Sequence, residues 1–142
     1  MVCMEEITIQ TTKYNVFVPL GEQVKAIVEK SGVRNGVVHI ITKHTTTGIT
    51  VNENLECLED DILSALARMF PEDGFYYHAR FLDTYGAMAG NPTGHLKAMV
   101  TGNNASFPVT EGHMHLGKAQ EVYLAEFDGP QERTITVTVI GE

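Results

Sequence analysis

The last stretch of the chain alternates branched aliphatic residues with threonine. Ile135, Val137 and Val139 occupy every second position, and threonines stand between them. Because successive side chains of a strand point to opposite faces, this alternation predicts a β-strand with one apolar and one polar face. β-Branched side chains also favour extended backbone. The chain is therefore expected to contain a strand that is half exposed to solvent.

Several other segments have the composition typical of strands. Residues 121–127 alternate loosely, and the turn Asp128-Gly129-Pro130 follows them, so an antiparallel hairpin with the C-terminal strand is expected. Most of the chain is thus expected to be β-structure. Further strands are predicted at residues 6–11, 14–18, 37–42, 49–52 and 106–109.

Two segments have helical periodicity instead. Residues 22–30 place aliphatic side chains on one side and are followed by Gly32, a typical C-terminal cap. Residues 54–70 carry Leu, Ile and Met at helical spacing and end before Pro71. A shorter helix is predicted at residues 94–100. With 142 residues, the chain is expected to form a single domain, residues 1–142, in which helices pack on a sheet.

The charge and the cysteines restrict the partners that the chain can have. Ten Lys and Arg against 18 Asp and Glu give a formal net charge of −8, which disfavours broad binding to nucleic acid or to an anionic membrane. Cys3 and Cys57 are far apart and form no C-x-x-C motif, which is typical of a reducing compartment. The acidic N-terminus and the lack of a long apolar run predict no signal peptide and no membrane span. We expect a soluble, cytoplasmic protein.

A polar segment follows the strand predicted at residues 37–42. Lys43, His44 and the threonines at 45–47 precede Gly48. Loops at strand ends are where a rigid scaffold presents reactive groups, so Lys43 and the hydroxyls are candidates for binding phosphate, and His44 is a candidate base or metal ligand. A threonine-rich turn that caps its own backbone explains the same residues without a function.

Five acidic residues and no basic residue lie between Glu53 and Asp61. Without them the chain has 13 acids against 10 bases, a net charge of −3, so most of the negative excess is local. Acids at a helix start complement the helix dipole, which accounts for Glu56, Glu59 and Asp60. Glu53 and Asp61 are eight residues apart and come within about 80° of a common face if the helix begins early enough, so both are candidates for one site.

Six histidines provide material for a metal site. His113 and His115 look like a ligand pair because alternate positions of a strand share a face, but two ordinary side chains beside a turn have the same spacing. His39 is expected to pack within its strand. The other three lie beside loops and far apart in sequence, as in a site assembled by folding: His44, His78 and His95.

Other motifs narrow the chemistry. Asn103, Asn104 and Ser106 follow Gly102 and offer donors to an anion, although an ordinary turn has the same composition. The sequence has no P-loop, no dinucleotide-binding G-x-G-x-x-G, no G-x-S-x-G nucleophile elbow and no H-E-x-x-H zinc motif. No nucleotide cofactor is expected.

A set of motifs in a fixed order along the chain is more specific than any one of them. The set begins with His44-Thr45-Thr46-Thr47-Gly48-Ile49-Thr50-Val51-Asn52-Glu53-Asn54 and continues with Asp61, Tyr76-Tyr77-His78, Gly94-His95-Leu96-Lys97, Gly102, Pro108, Gly112, Gly117, Gln120 and Asp128-Gly129-Pro130. On these residues the chain resembles, over nearly its whole length, the YjbQ-like family, small proteins of which some are described as secondary thiamine-phosphate synthases.

The resemblance implies an α+β fold, in which antiparallel β-sheets pack with a few helices, and a homotrimer with sites near subunit boundaries. It also implies that scattered polar residues form one pocket that holds a metal ion or an anion. Catalytic roles are expected for His44, Glu53, Asp61 and His95, and metal ligation for His44, His78 and His95. Contacts to a substrate or anion are expected from Lys43, Thr45, Thr46, Asn52, Lys97 and Ser106.

Three functions follow as hypotheses. The first is a thiamine-phosphate synthase-like transferase, which joins a pyrimidine pyrophosphate to a thiazole phosphate with loss of pyrophosphate. Three imidazoles suit zinc or another transition metal, which would neutralise the departing pyrophosphate with help from Lys43 or Lys97. The second is a metal-dependent hydrolase of a small phosphate ester or amide, with Glu53 or Asp61 as base. The third is a trimeric module that binds a small anionic, phosphorylated metabolite or a metal without turnover.

The chain departs from the family pattern at two places. Gly117-Lys118-Ala119-Gln120 stands where many relatives have Gly-x-Trp-Gln, and Ala89 and Gly90 replace acids, leaving Asn91. These differences predict a subgroup whose ligand contacts differ from those of other members.

Overall fold

The structure is a computed structural model, and it describes residues 1–80 and 91–142, with the backbone alone for residues 79 and 80. These residues form, in order, β1 (Val2–Gln10), β2 (Val16–Pro19), α1 (Gly21–Ser31), β3 (Gly36–Thr42), β4 (Thr47–Glu53), α2 (Glu56–Met69), α3 (Tyr77–Arg80), α4 (Pro92–Thr101), β5 (Asn104–Thr110), β6 (His113–Met114), β7 (Gln120–Glu126) and β8 (Glu132–Gly141).

The predicted strands and helices are all present, with ends that differ by up to four residues. Gly32 caps α1 in the left-handed conformation, at φ 75°, as predicted. Part of the long connection at residues 72–93 lies outside the described residues, and so do Ala89 and Gly90.

The strands form two antiparallel sheets. The larger sheet has five strands in the order β1-β8-β3-β5-β6, and the smaller sheet has three in the order β2-β7-β4. Helices pack against both sheets, so the α+β fold class expected from the resemblance is confirmed.

The predicted hairpin between β7 and β8 is wrong, because these strands belong to different sheets. β7 pairs with β2 on one side and with β4 on the other, which leaves no free edge for β8. Every residue from Val122 to Glu126 is buried, so both faces of β7 are covered. The loose alternation in this segment is the pattern of a strand buried on two faces. The turn at residues 128–130 therefore carries the chain from one sheet to the other.

The C-terminal strand β8 is half exposed, as its alternation predicts. Ile135, Val137 and Val139 are fully buried, whereas the threonines between them are partly exposed. The buried residues meet α1 and the inner face of the smaller sheet, where Val122 and Leu124 belong to the same core.

The other face of the smaller sheet holds a second apolar cluster. Tyr123, Ala125 and Phe127 pack there with Leu66 of α2 and Ala98 of α4. This packing fixes α4 beside β4, close to the loop that precedes β4. α4 is thereby placed next to the polar segment around His44.

Cys3 is partly buried, Cys57 is exposed, and both are free thiols. No helix within the described residues combines the length and the apolar composition needed to cross a bilayer.

Candidate functional site

Residues 43–46, which we call the His44 loop, connect β3 to β4. Threonine hydroxyls stabilise the two ends of this loop: Thr42 Oγ1 lies 2.6 Å from Thr47 Oγ1, and Thr42 Oγ1 accepts a hydrogen bond from the His44 backbone N–H at 3.3 Å. Thr42 therefore caps the backbone of this loop, as the self-capping turn predicts, whereas the Thr47 hydroxyl contacts Thr42 and no backbone group among the described residues. This cap is also compatible with a function, because it holds the imidazole of His44 at the edge of the protein.

The His44 ring takes the place of a backbone acceptor at the end of the β3–β8 ladder. The last paired residues are Thr42 and Ile135, and beyond them Lys43 N–H donates to Thr134 O at 3.2 Å. The Thr134 backbone N–H donates to His44 Nε2 at 2.8 Å. An acceptor nitrogen carries no proton, so the neutral ring has its proton on Nδ1.

The surroundings of His44 favour this neutral form. Partial burial of the ring, followed by the positive charge of Arg133, lowers the pKa of His44 below its ordinary value. The charge of Glu126 acts in the opposite direction and that of Lys43 in the same direction as Arg133. His44 is therefore a hydrogen-bond donor through Nδ1 at neutral pH.

His44 faces α4 across a cleft of about 390 Å³. Gly94 allows the close approach of α4 to the loop, since a Cβ there would lie 2.9 Å from Phe127 O and 3.3 Å from Thr46 Cγ2. The cleft is lined by His44, Thr45, Thr47, His95, Ala98, Met99, Gly102 and Asn103. Among the predicted site residues, the structure thus brings His44, Thr45 and His95 together.

His95 also borders a second cavity of about 280 Å³, which it shares with His78, Pro92 and Leu96. The ring centroids of His78 and His95 are 5.0 Å apart. Positions 92, 95 and 96 of α4 turn toward this cavity, whereas positions 95, 98 and 99 of α4, and Gly102 just after it, turn toward the cleft. His95 therefore lies between His44 on one side and His78 on the other.

Among the described residues, the rings of His78 and His95 are in contact, and His44 shares the cleft with His95. Within residues 1–80 and 91–142, no three His, Cys, Asp or Glu side chains form a group that could hold a metal ion. His44 Nε2 is already occupied by the Thr134 N–H, which leaves Nδ1 as the nitrogen that a metal would use. The pocket for a metal ion or an anion that the resemblance implies, and zinc or another transition metal as its occupant, stay predictions.

The two predicted lysines lie away from the described lining of the cleft. Lys97 is buried, with 2% of its surface exposed, and its Nζ lies 3.2 Å from Glu72 Oε1. Lys43 points to the surface, where its Nζ lies 3.2 Å from Glu6 Oε1. Thr46 is buried, and its hydroxyl accepts a hydrogen bond from Arg133.

The common-face argument for Glu53 and Asp61 is wrong, because α2 begins only at Glu56. Glu53 ends β4 and Asp61 lies on α2, and both are exposed. Asn52 is also exposed, and its Oδ1 accepts the Glu53 backbone N–H at 2.9 Å. None of the three is among the described residues that line the cleft.

Two further predictions concern the larger sheet. Ser106 Oγ lies 2.7 Å from His39 Nδ1 on the exposed face of this sheet, outside the lining of the cleft. His113 Nδ1 lies 3.4 Å from Glu29 Oε1 at the surface. Neither His113 nor His115 is among the residues that line the cleft. The pair with the best spacing is thus remote from the other predicted histidines.

The lining includes Thr47, a predicted phosphate-binding hydroxyl, and three residues that were not predicted to belong to the site: Ala98, Met99 and Gly102. Ala98 and Met99 follow His95 at i+3 and i+4, which share a helix face with it, and Gly102 caps the end of α4 at i+7. Counted from His95, that spacing could have identified these residues as part of the lining. Asn103, noted as a possible anion donor, is also in the lining.

The fold and the cleft define a small α+β protein with two antiparallel sheets and an imidazole-lined site. The sequence matches the UPF0047 protein YjbQ-like family over residues 5–142. The chain therefore belongs to this family.

Relatives match almost from end to end. A UPF0047 protein of Archaeoglobus fulgidus is 36% identical over 95% of this chain and 99% of its own. The UPF0047 protein YugU of Bacillus subtilis is 33% identical over 97% of this chain and 99% of its own. The crystal structure of a YbjQ-like protein of unknown function from Sulfolobus solfataricus is 35% identical, covers 100% of this chain and 99% of its own, and has a TM-score of 0.92.

Proposed function

We propose that the cleft between the His44 loop and α4 binds a small phosphorylated metabolite. The observation that carries this proposal is that His44 and His95, far apart in sequence, line the same cleft while the fold reserves His44 Nε2 for the Thr134 N–H. His44 Nδ1 has no hydrogen-bond partner among the described residues, so its N–H is available to a ligand.

The other groups in the cleft suit the same ligand. The Thr45 hydroxyl and the Asn103 amide donate hydrogen bonds, and no carboxylate is among the described lining residues to repel a phosphate. The volume of about 390 Å³ is in the range of small-molecule sites. His95 supplies a second imidazole, which can donate a proton or carry a positive charge.

The reaction to test first is the transfer that the resemblance implies. The thiazole nitrogen would attack the methylene carbon of the pyrimidine pyrophosphate, the carbon–oxygen bond would break, and pyrophosphate would leave with the electron pair. Imidazole N–H donors in the cleft would stabilise the charge that develops on this leaving group. The resemblance implies a transition metal on His44, His78 and His95, which would add a stronger counter-charge. These side chains form no metal-binding group within the described residues, so the proposed step does not depend on it.

The hydrolase hypothesis has less support from the site. It needs a carboxylate base within reach of a bound water, and neither Glu53 nor Asp61 lines the cleft within the described part of the chain. A binding module without turnover has the same cleft as the transferase. Measurement of binding and of turnover separates these two.

The test combines calorimetry with a product assay. Wild type, His44→Gln and His95→Ala are titrated with inorganic phosphate, pyrophosphate and thiamine phosphate, with and without added zinc. The same proteins are assayed for thiamine-phosphate formation. His113→Ala is the control, because it removes an exposed imidazole outside the cleft. Binding weakened only in the two cleft variants supports the proposal; equal binding in all proteins, or none in wild type, overturns it.

We further propose that the protein assembles as a homotrimer in the cytoplasm. Self-association is supported by exposed apolar residues at one corner of the larger sheet: Val2, Met4, Val37 and Ile140. Two free, unpaired thiols support a reducing compartment. Light scattering gives the oligomeric state, and a monomeric mass at micromolar concentration would contradict the trimer.

A further inference from the structure

A fully enclosed ion pair lies beneath the His44 loop. Arg133 Nε donates to Glu126 Oε1 at 2.8 Å and Arg133 Nη2 to Glu126 Oε2 at 2.5 Å, with 3% and 0% of the two side chains exposed. Removing two charges from water is costly, so a buried pair is weak support for stability by itself. Its other contacts therefore indicate what it does.

Each end of this pair has further partners. Glu126 accepts hydrogen bonds from Thr11 Oγ1 at 2.6 Å and from the Asp128 backbone N–H at 3.0 Å. Arg133 Nη2 also donates to Thr46 Oγ1 at 2.9 Å. The bond to Thr46 connects the buried pair with the His44 loop.

Backbone bonds hold the same loop on both sides of the pair. Phe127, next to Glu126, donates its N–H to Thr46 O at 3.1 Å. Thr134, next to Arg133, accepts the Lys43 N–H and donates its own N–H to His44 Nε2. The loop is thus fixed to the residues that flank the pair, and the orientation of the His44 ring depends on that attachment.

We propose that Arg133 is a positioning residue for the cleft: through Thr46 it holds the His44 loop so that His44 keeps Nε2 against the Thr134 N–H and offers Nδ1–H to a ligand. The inference rests on the proposed function, since it concerns the same cleft. Arg133 acts through another residue and does not line the cleft itself. Among the described residues, the charged groups that act on His44 are Arg133, Glu126 and Lys43.

The test reads the tautomer of His44 directly, by nitrogen-15 NMR of the imidazole rings at a pH where the ring is neutral. Wild type is expected to show His44 with Nδ1 protonated. Thr46→Val removes only the hydroxyl that Arg133 contacts, and the double variant Arg133→Met with Glu126→Met replaces both charges by apolar side chains. Thr136→Val, on the outer face of β8, is the control.

The proposal predicts that Thr46→Val and the double variant show both His44 tautomers, whereas Thr136→Val shows one. Loss of one ordered donor is expected to weaken phosphate binding about three- to tenfold in Thr46→Val. If the double variant does not fold, the His44 tautomer in Thr46→Val alone tests the proposal. An unchanged tautomer in Thr46→Val overturns the positioning role, even where phosphate still binds. A changed tautomer in a protein that binds no phosphate supports the positioning role and removes the proposed function.

Discussion

Two ion pairs support the two sides of the candidate site, and they differ in their exposure to water. Arg133 and Glu126 are both buried and are joined by two hydrogen bonds. Lys97 is equally buried, but its partner Glu72 keeps 55% of its side chain exposed and contributes one contact to it, at 3.2 Å. The first pair lies under the His44 loop, and the second joins α4 to the connection that follows α2.

The two ion pairs hold the two imidazoles of the cleft to different degrees. The enclosed pair is little screened by salt, so the position of His44 is expected to be insensitive to ionic strength. Glu72 reaches Lys97 from the solvent side, and it also accepts hydrogen bonds from Thr93 at 3.0 Å and Tyr14 at 3.1 Å. These bonds hold the segment that leads to His78, but they depend on a carboxylate that is half exposed to water and salt. The contact between His78 and His95 is therefore expected to be the more adjustable part of the site.

The largest expected effect comes from breaking the enclosed pair on one side only. Glu126→Gln leaves the guanidinium of Arg133 buried without its counter-charge, and roughly 3–5 kcal/mol of unfolding free energy is expected to be lost. Urea denaturation measures this loss. The double variant Arg133→Met with Glu126→Met is the control, because it leaves no unpaired charge. A single variant that loses less than the double variant would contradict this account.

A smaller loss is expected from the half-open pair. Glu72→Gln keeps an acceptor near Thr93 and Tyr14 but leaves the Lys97 ammonium without a carboxylate, which is expected to cost about 1–3 kcal/mol of unfolding free energy. Adding Lys97→Met to Glu72→Gln should restore part of the lost unfolding free energy, because no buried charge is then left unpaired. Glu6→Gln, which breaks an exposed pair with Lys43, is expected to cost less than about 1 kcal/mol. Equal losses in Glu72→Gln and Glu126→Gln would remove the distinction between the two pairs.

The dependence of stability on pH separates the two regions further. The pKa of His44 is lowered by folding from its ordinary 6.5, so between the two values the unfolded chain binds more protons than the folded protein. The contribution of His44 to the free energy of unfolding is complete above pH 6.5. It is lost as the pH falls toward the pKa that His44 has in the folded protein. His44→Gln, which keeps an acceptor for the Thr134 N–H and does not titrate, should flatten the dependence of the unfolding free energy on pH as the pH falls below 6.5. An unchanged slope would contradict it.

The carboxylates of both pairs contribute at lower pH. Burial of Glu126 acts to raise its pKa, but the hydrogen bonds from Arg133, Thr11 and Asp128 outweigh burial and lower it below 4.5. In the same way, Thr93, Lys97 and Tyr14 outweigh burial and lower the pKa of Glu72. A group with a lowered pKa stabilises the fold above its unfolded value, and this contribution is lost as the pH falls. Acid unfolding is thus expected to follow the loss at His44.

Local pattern predicts the elements of this fold better than their pairing. The alternation of Ile135, Val137 and Val139 places β8 at a half-exposed position in a sheet, and the structure agrees. The neighbouring strand β7 has both faces buried, so it carries no clear period of two, and nearness in sequence suggested the wrong partner. Pairing depends on which edges remain free after folding, and a single sequence does not contain that information locally.

The candidate site, like the strand pairing, depends on contacts that local sequence does not contain. His44 and His95 meet because Ala98 of α4 packs on the smaller sheet and Gly94 allows a close approach, neither of which is visible in the spacing of histidines. The motif order of the resemblance selected the two imidazoles that line the cleft. It did not indicate that Lys97 is committed to Glu72, or that Thr46 is committed to Arg133, since these contacts come from distant elements. Residue type predicts which side chains are candidates for a site. The partners of these side chains depend on which distant elements pack around them when the chain folds.

The smallest expected effect concerns the histidines with the best spacing. His113→Ala removes a weak contact at 3.4 Å between two exposed side chains, His113 and Glu29, so the free energy of unfolding should change by less than about 0.5 kcal/mol. The His44 titration and the phosphate affinity should match those of wild type, because His113 does not line the cleft. Proton NMR of the imidazoles and calorimetry check both. If His113→Ala weakens phosphate binding as much as His95→Ala does, the ligand lies at the β5–β6 turn. The two ion pairs would then affect the stability of the fold and not the binding of the ligand.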